Sequence, residues 1–281
     1  MAWTDWIRNR FKGLRSPPPT VAVLRLSGPI MAGRAFRGLS LESMAHTIER
    51  AFELKRLKAV ALVVNSPGGS PVQSALIHQR IRDLAQEKKV PVFAFAEDVA
   101  ASGGYWLLTA GDELYANESS IVGSIGVIYA GFGFPELMRT IGVERRLYTA
   151  GEHKSMLDPY RPERSEDVER LKAIQVEIHD RFKDLVRERR GAKLKADEAS
   201  LFDGSVWTGR QALALGLIDG IGDVRGVMRQ RYGEDVKLRP VARERSWLSR
   251  RFGLARAEEK PWLEQALDQL EERALWARFG L

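Results

Sequence analysis

The chain contains no cysteine among its 281 residues. Disulfides, thiol nucleophiles and cysteine-based metal sites are therefore excluded, and the composition gives no sign of an oxidising compartment. Long apolar runs are also missing, because the longest uncharged stretch, 119–135, is interrupted by glycines and ends in proline. A membrane-spanning helix needs about 20 mostly apolar residues, so this stretch is predicted to form buried strands and turns. The beginning of the chain lacks the apolar core of a cleavable secretory signal.

Chemical signatures of several enzyme classes are absent as well. The four histidines, His46, His78, His153 and His179, have no metal-ligand spacing, and there is no zinc-binding His-Glu-x-x-His pattern. Neither a Gly-x-Ser-x-Gly elbow, nor Ser-x-x-Lys, nor a glycine-rich nucleotide loop occurs. No metal and no cofactor are therefore expected. A Ser/His/Asp triad assembled through space stays open, although no local pattern indicates one.

Charge of both signs is abundant, with 44 Lys and Arg against 37 Asp and Glu and a net charge of +7. The excess lies mostly in 1–20 and 237–256, so a basic cleft is not indicated and no nucleic-acid partner is expected. Basic ends favour contact with an anionic membrane surface. In 1–16, tryptophans recur at helical spacing among arginines, which is typical of an interfacial helix. A helix packed on its own domain or on a neighbouring subunit fits this pattern equally well.

Apolar runs and helical patterns alternate along the body of the chain. Strands are predicted at 21–26, 59–64 and 90–95, with helices from about Ser40 and from about Pro71 between them. This alternation predicts an α/β core with right-handed crossovers. A later helix is predicted to have Ser165 as its cap and to stop near Gly191. Three segments follow: a basic arm with a proline linker at 1–20, a folded domain at 21–235, and a basic linker with a last helix from Pro261 at 236–281.

Two glycine pairs each follow a strand and precede a helix. Pro67-Gly68-Gly69 is the first, and Ser102-Gly103-Gly104 is the second. Glycine permits close approach of the backbone to a ligand, and the N–H groups at a helix start have no partner within the helix. Taken singly, each pair is more typical of a tight strand-to-helix turn, with Ser102 serving only as a helix cap.

Taken in order, five segments resemble the signal peptide peptidase A family of serine peptidases. They are Asn65-Ser-Pro-Gly-Gly-Ser70, Ala100-Ala-Ser-Gly-Gly-Tyr105, Gly123-Ser-Ile-Gly126, Gly151-Glu-His-Lys-Ser155 and Trp207-Thr-Gly-Arg-Gln-Ala212. The resemblance implies the Clp protease/crotonase-like α/β fold with repeated β-β-α units, here with an N-terminal arm and a C-terminal helix in addition.

The resemblance also implies a Ser/Lys dyad, with Ser102 as the nucleophile and Lys154 as the general base. A serine hydroxyl needs a base to remove its proton, and a lysine can do so only in its neutral form, which desolvation favours. Ser124 is implied to orient the amine of Lys154. The backbone N–H groups of Gly69 and Gly103 are implied as oxyanion donors, with Gly68 beside them.

Family members with one such domain form ring-like homo-oligomers, so the same is expected here, with the dyad formed within one subunit or between two. The implied substrates are peptides, such as signal-peptide remnants or cytoplasmic fragments, and a cytoplasmic location is expected, with peripheral contact at the inner face of a membrane as an option. Two alternatives stay open: a crotonase-like acyl-CoA enzyme, whose fold also uses two N–H donors, and a non-catalytic, membrane-associated scaffold of the same fold.

Overall fold

The computed structural model describes residues 18–32, 38–242, 273 and 275–280. These residues form a sheet of eight strands with helices on both faces. The strands are β1 (Thr20–Ser27), β2 (Leu57–Ser66), β3 (Val92–Ala101), β4 (Glu113–Ala116), β5 (Ile121–Gly123), β6 (Val206–Thr208), β7 (Gly220–Ile221) and β8 (Lys237–Val241). The helices are α1 (Leu41–Phe52), α2 (Pro71–Lys88), α3 (Gly103–Leu108), α4 (Pro135–Thr140), α5 (Ser165–Arg190), α6 (Glu198–Leu201), α7 (Gly209–Ala214) and α8 (Val224–Tyr232), and a 3-10 turn covers Gly191–Lys193.

The sheet is parallel except at one edge. Its strand order is β6-β5-β3-β2-β1-β8, and β4 pairs with the first half of β3 on one side and with β7 on the other. Only the pairing of β5 with β6 is antiparallel. Because β3 is longer than β4, its last residues, Val99 to Ala101, are free to pair with β5 instead. This change of partner brings β5 to the carboxyl end of β3.

Both faces of the sheet are buried, which explains why its central strands are continuous apolar runs rather than alternating ones. On one face, alternate residues such as Leu24 and Leu62 pack under α1, α2, α3 and α5. On the other face, Phe93 and Phe95 form a smaller cluster under α8, whose Met228 is fully buried. The predicted α/β core is therefore observed within the described residues.

Several predicted boundaries differ from the structure. The strand predicted at 90–95 begins at Val92 and continues to Ala101, so that it ends directly at Ser102. Ser165 is the first residue of α5 and not its cap, since the cap is Arg164, which makes no side-chain capping bond. The uncharged stretch 119–135 is only partly buried: Val122 is fully buried, whereas Phe132 is 84% exposed. A lack of charge in this stretch therefore does not mean burial in the single chain.

Two other predictions lie wholly or mostly outside the described residues. These are the amphipathic arm at 1–16 and the last helix from Pro261, of which residues 273 and 275–277 are described as helical. Among the residues that the structure describes, no helix is long and apolar enough to cross a membrane.

A buried arginine joins the end of α5 to the segment before β7. Arg190 is 1% exposed, and its Nη1 lies 2.7 Å from Oδ2 of Asp219. Its Nε and Nη2 both donate to the carbonyl oxygen of Gly216, at 3.1 and 2.7 Å. Since every donor group has a partner, the cost of burying this charge is offset by the contacts it makes.

We expect Arg190→Met to lower the free energy of unfolding by about 2 kcal/mol, because the Gly216 carbonyl loses its side-chain donor and the Asp219 carboxylate, which is 19% exposed and keeps Lys193, loses one of its two cationic partners. Urea unfolding followed by circular dichroism measures this change. Arg187→Met is the matched control: Arg187 lies on the same helix, and its ion pairs with Asp184 and Glu198 are exposed. Its effect should be much smaller. Equal effects of the two substitutions would contradict the assigned role of Arg190.

Cationic side chains surround the carboxyl end of α3. Arg189 donates to the carbonyl oxygens of Thr109 and Gly111 at 3.0 and 2.8 Å, and Arg82 donates to that of Ala110 at 3.0 Å. These carbonyls follow the last turn of the helix, where a positive charge is favourable. His78 also lies here and is 6% exposed.

His78 gives the protein a stability that depends on pH. Burial, with smaller contributions from Arg189 and Arg82, lowers the pKa of His78 from 6.5 to about 4. Between these values the unfolded chain binds a proton that the folded chain does not, so the free energy of unfolding falls as the pH decreases. We expect this side chain to remove about 2 to 3 kcal/mol of stability between pH 7.5 and pH 4.5.

Urea unfolding of the wild type and of His78→Gln at several pH values tests this expectation. The carboxylates titrate in both proteins, so the difference between the two proteins isolates the histidine. The stability of the variant should decrease less than that of the wild type over this range. Parallel curves would show that His78 does not contribute.

Candidate active site

The carboxyl ends of β3 and β5 bring two serines to the same edge of the sheet. Ala101 of β3 is paired in parallel register with Gly123 of β5. The next residues along the chain are Ser102 and Ser124. They therefore follow the ends of two neighbouring strands at the same edge of the sheet, and such strands lie about 4.8 Å apart. The backbone N–H of Ser102 donates to the carbonyl oxygen of Gly123 at 2.8 Å, which fixes this arrangement.

Both serines have an unusual backbone conformation. The φ angle is +52° at Ser102 and +53° at Ser124. Residues other than glycine seldom adopt positive φ, at a cost of about 1 to 3 kcal/mol, and such residues are concentrated at functional sites. Backbone hydrogen bonds hold both serines in this conformation. The N–H of Trp106 donates to the carbonyl oxygen of Ser102, and the N–H of Ser124 donates to the carbonyl oxygen of Ser205.

The hydroxyl of Ser102 does not cap the helix that it precedes. Ser102 is the N-cap residue of α3, yet its side chain accepts no capping hydrogen bond. By contrast, the caps of α1 and α2, Ser40 and Ser70, accept bonds from Ser43 N–H and Gln73 N–H respectively. The interpretation of Ser102 as a simple cap is therefore wrong, and its hydroxyl is left for another role.

The first glycine turn lies against Ser102. A Cβ atom added to Gly68 would lie 2.8 Å from Cβ of Ser102 and 2.9 Å from the backbone nitrogen of Gly103. A Cβ on Gly69 would collide with the carbonyl oxygen of Ile30. Residues flanking Gly69 pair with the backbone of Ile30, through Ile30 N–H to the Gly68 carbonyl and Ser70 N–H to the Ile30 carbonyl, at 2.8 and 2.7 Å. Only glycine allows this close approach at either position.

Two backbone N–H groups beside Ser102 have no acceptor among the described residues, and they belong to Gly69 and Gly103. The N–H of Gly103 is the first in α3 and has no partner within the helix. The nitrogen of Gly69 lies 3.3 Å from the position that a Cβ of Gly103 would occupy, so the two turns are in contact. Two such N–H groups next to a serine can stabilise the negative charge that develops on a carbonyl oxygen under attack.

Lys154 lies elsewhere, on a turn before α5. Its backbone N–H donates to the Gly151 carbonyl at 3.2 Å, and its side chain is exposed in the single chain. Helix α5 passes close to the segment that contains Ser124, since His179 Nε2 lies 3.0 Å from the carbonyl oxygen of Ile125. The structure thus groups Ser102, Ser124 and the glycine turns, and it leaves Lys154 exposed within one subunit.

Sequence patterns did not reveal the roles of His78 and His179, because a single histidine in a helix gives no local sign of what it contacts through space. Within the described residues, no cluster of three or more histidine, aspartate or glutamate side chains is arranged to hold a metal ion.

Comparison with known proteins identifies the family of the chain. Residues 84–239 match the family model described as peptidase family S49. The Na(+)/H(+) antiporter NhaA of Brucella abortus is 52% identical over 286 residues, which cover 98% of this chain and 38% of that protein. This chain thus spans well under half of the length of that relative.

Proteins named as proteases are also similar. The chloroplastic serine protease SPPA of Arabidopsis thaliana is 32% identical over 203 residues, covering 72% of this chain and 29% of that protein. Protease 4 of Haemophilus influenzae is 32% identical over 210 residues, covering 73% and 33%. The family match and the mostly parallel sheet confirm the predicted Clp protease/crotonase-like fold class. The chain belongs to peptidase family S49 and is similar to its signal peptide peptidase A members.

Proposed function

We propose that the chain is a serine endopeptidase that cleaves peptides through an acyl-enzyme, with Ser102 as nucleophile and Lys154 as general base. The observation that carries the proposal is a serine at positive φ whose hydroxyl does not cap the helix, beside two backbone N–H groups that have no acceptor among the described residues. Free N–H groups occur at every helix start, but a strained serine next to two of them from separate turns suits acyl transfer, which needs a nucleophile and oxyanion donors side by side.

In this mechanism the neutral Nζ of Lys154 takes the proton of the Ser102 hydroxyl while Oγ bonds to the peptide carbonyl carbon. The carbonyl oxygen becomes an oxyanion that accepts hydrogen bonds from Gly69 and Gly103 N–H. The tetrahedral intermediate then breaks its C–N bond, and the ammonium of Lys154 gives its proton to the leaving amine. Water, deprotonated by the same amine, hydrolyses the ester and restores both residues.

The backbone position of Ser124 supports a role in orienting the base. Ser124 directly follows β5 as Ser102 directly follows β3, and the ends of these two strands are paired. A hydrogen bond from the Ser124 N–H to the Ser205 carbonyl oxygen holds its backbone at positive φ. A hydroxyl at this place can hydrogen-bond an incoming amine and hold its lone pair towards Ser102. The proposal assigns Ser124 this orienting role.

We also propose that the site is completed in a homo-oligomer, ring-like as in the family. In the single chain the side chain of Lys154 is exposed, whereas a proton-accepting amine requires desolvation. Apolar side chains are exposed near this turn: Tyr129 and Phe132 line a cleft with Ser155 and Leu157, and Ile128, Leu137 and Tyr148 of the preceding segment are also more than half exposed. Large exposed apolar patches mark interfaces, and covering this one with a neighbouring subunit would also desolvate the amine.

The proposed substrates are extended peptides, including remnants of signal peptides and cytoplasmic fragments. The proposed location is the cytoplasm, with optional contact with the inner membrane face through 1–16.

Hydrolysis of fluorogenic peptides and labelling by a fluorophosphonate, each compared with Ser102→Ala, test the reaction. Loss of both signals in the variant is the expected result. Hydrolysis or labelling that survives would overturn the assignment of Ser102. Tight binding of acyl-CoA by calorimetry without peptide hydrolysis would instead support the crotonase-like alternative.

A further inference from the structure

The turn that carries Lys154 has little internal support. Its backbone bonds are short-range, from Lys154 N–H to the Gly151 carbonyl and from Met156 N–H to the His153 carbonyl, both at 3.2 Å. It contains two residues at positive φ, Gly151 at +102° and Leu157 at +56°. For a leucine this conformation is unfavourable and requires contacts that hold it.

One side of this turn faces an open cleft rather than a packed core. The cleft has a volume of about 520 Å³, and Ser155 and Leu157 of the turn line it together with Tyr129, Phe132 and Asp167. Apolar packing from this side is therefore not what fixes the position of the turn within one subunit.

A buried carboxylate at the start of α5, which also lines this cleft, makes a long-range contact with the turn. Asp167, in the first turn of α5, is 4% exposed, and its Oδ2 accepts a hydrogen bond from the backbone N–H of Leu157 at 3.4 Å. Arg164 binds both oxygens of this carboxylate, with Nη2 at 2.6 Å from Oδ1 and Nε at 3.1 Å from Oδ2. Hydrogen bonds from Arg164, followed by that from Leu157, lower the pKa of Asp167, so that it is charged at neutral pH.

We propose that Asp167 is a positioning residue for Lys154, holding the turn against the start of α5 through the backbone of Leu157 and thereby fixing where the amine enters the active site. This inference rests on the function proposed above. The hydrogen bond from Asp167 reaches Leu157, which lies three residues after Lys154. Leu157 is the residue of the turn whose positive φ is unfavourable for its side chain. Proper placement of a catalytic group is worth a large factor, since a displacement of about 1 Å can cost about 100-fold in rate.

The test is the kinetics of Asp167→Ala in the full-length protein, with Asp167→Glu as the conservative variant and Glu169→Ala as the matched control. Glu169 is an exposed carboxylate on the same helix. We expect Asp167→Ala to lower kcat by about 10- to 100-fold with KM within about twofold. Asp167→Glu should recover part of this loss, and Glu169→Ala should leave kcat unchanged.

A second readout does not depend on turnover. Acetylation of Lys154 by acetic anhydride, followed by mass spectrometry, should change in rate in Asp167→Ala and remain as in the wild type in Glu169→Ala. Melting temperature and oligomer size are measured for each protein. If Asp167→Ala does not fold, Arg164→Gln takes its place, because it weakens the same carboxylate contact from a half-exposed side chain.

Two outcomes would overturn the inference: a kcat of Asp167→Ala within twofold of the wild type, or an equal loss in Asp167→Ala and Glu169→Ala. Ser102→Ala and Lys154→Ala are assayed in parallel, so that a failure of the positioning role of Asp167 can be distinguished from a failure of the proposed function. If activity depends on Ser102 and Lys154 but not on Asp167, only the positioning role is wrong. If activity is independent of Ser102, the proposed function itself is wrong.

Discussion

Replacing Ser102 by alanine and by glycine is expected to give two equally inactive proteins of different stability. Both lack the nucleophile, so peptide hydrolysis should fall by about four to six orders of magnitude. Glycine tolerates a φ of +52° at no steric cost, whereas alanine does not. The glycine variant should therefore be more stable than the alanine variant by about 1 kcal/mol.

Urea unfolding and a fluorogenic peptide assay measure the two effects separately. Ser165, the first residue of α5, is the control, because it lies in ordinary helical conformation. There glycine should be less stable than alanine, which is the opposite order. If glycine were the less stable variant at Ser102 too, the strained backbone would not be a property of the protein in solution. Retained hydrolysis in either variant would exclude Ser102 as nucleophile.

Replacing Lys154 is expected to have the second largest effect on activity. Lys154→Ala removes the proposed base, and Lys154→Arg replaces it with a group that stays protonated, so both should lower kcat by about 10²- to 10⁴-fold. Lys172, an exposed lysine of α5, is the matched control, and Lys172→Ala should retain the activity of the wild type. Activity of Lys154→Arg close to that of the wild type would contradict a proton-accepting role.

Mixing the two inactive variants, Ser102→Ala and Lys154→Ala, tests whether the dyad forms between subunits. If Ser102 and Lys154 of one site come from different subunits, exchange between Ser102→Ala and Lys154→Ala oligomers creates some sites that contain both residues. Partial recovery of peptide hydrolysis is then expected, under conditions in which subunit exchange is confirmed by mass spectrometry. No recovery after confirmed exchange would favour a dyad formed within one subunit.

Local patterns in the sequence were sufficient to predict the α/β core, whereas the Clp protease/crotonase-like fold class came from the resemblance of five short segments to a family. The apolar run at 59–64 and the helix after Ser70 are both observed, because buried parallel strands and capped helices leave marks within a few residues. Boundaries were less well predicted at 90–95, where β3 continues to Ala101 as it exchanges β4 for β5 as its partner. That exchange depends on pairing between distant segments, which no local pattern records.

The same distinction applies to the candidate site. The resemblance of short segments identified Ser102, Ser124 and the glycine turns, and strand register brings these residues to one edge. Contacts between distant residues were not predicted, such as that of Asp167 with Leu157 or that of His179 with Ile125. The surroundings of Lys154 also could not be predicted, since in the proposed oligomer they would include the surface of a second subunit.

Main-chain bonds alone hold Ser102 in place, through its N–H to Gly123 and its carbonyl to Trp106, and the side-chain oxygen takes no part in them. A sulfur atom can therefore replace that oxygen without moving the backbone. Because the chain has no cysteine of its own, Ser102→Cys would introduce a unique thiol. A fluorophore, spin label or crosslinker attached there would report from the reaction centre alone, with no background labelling to remove.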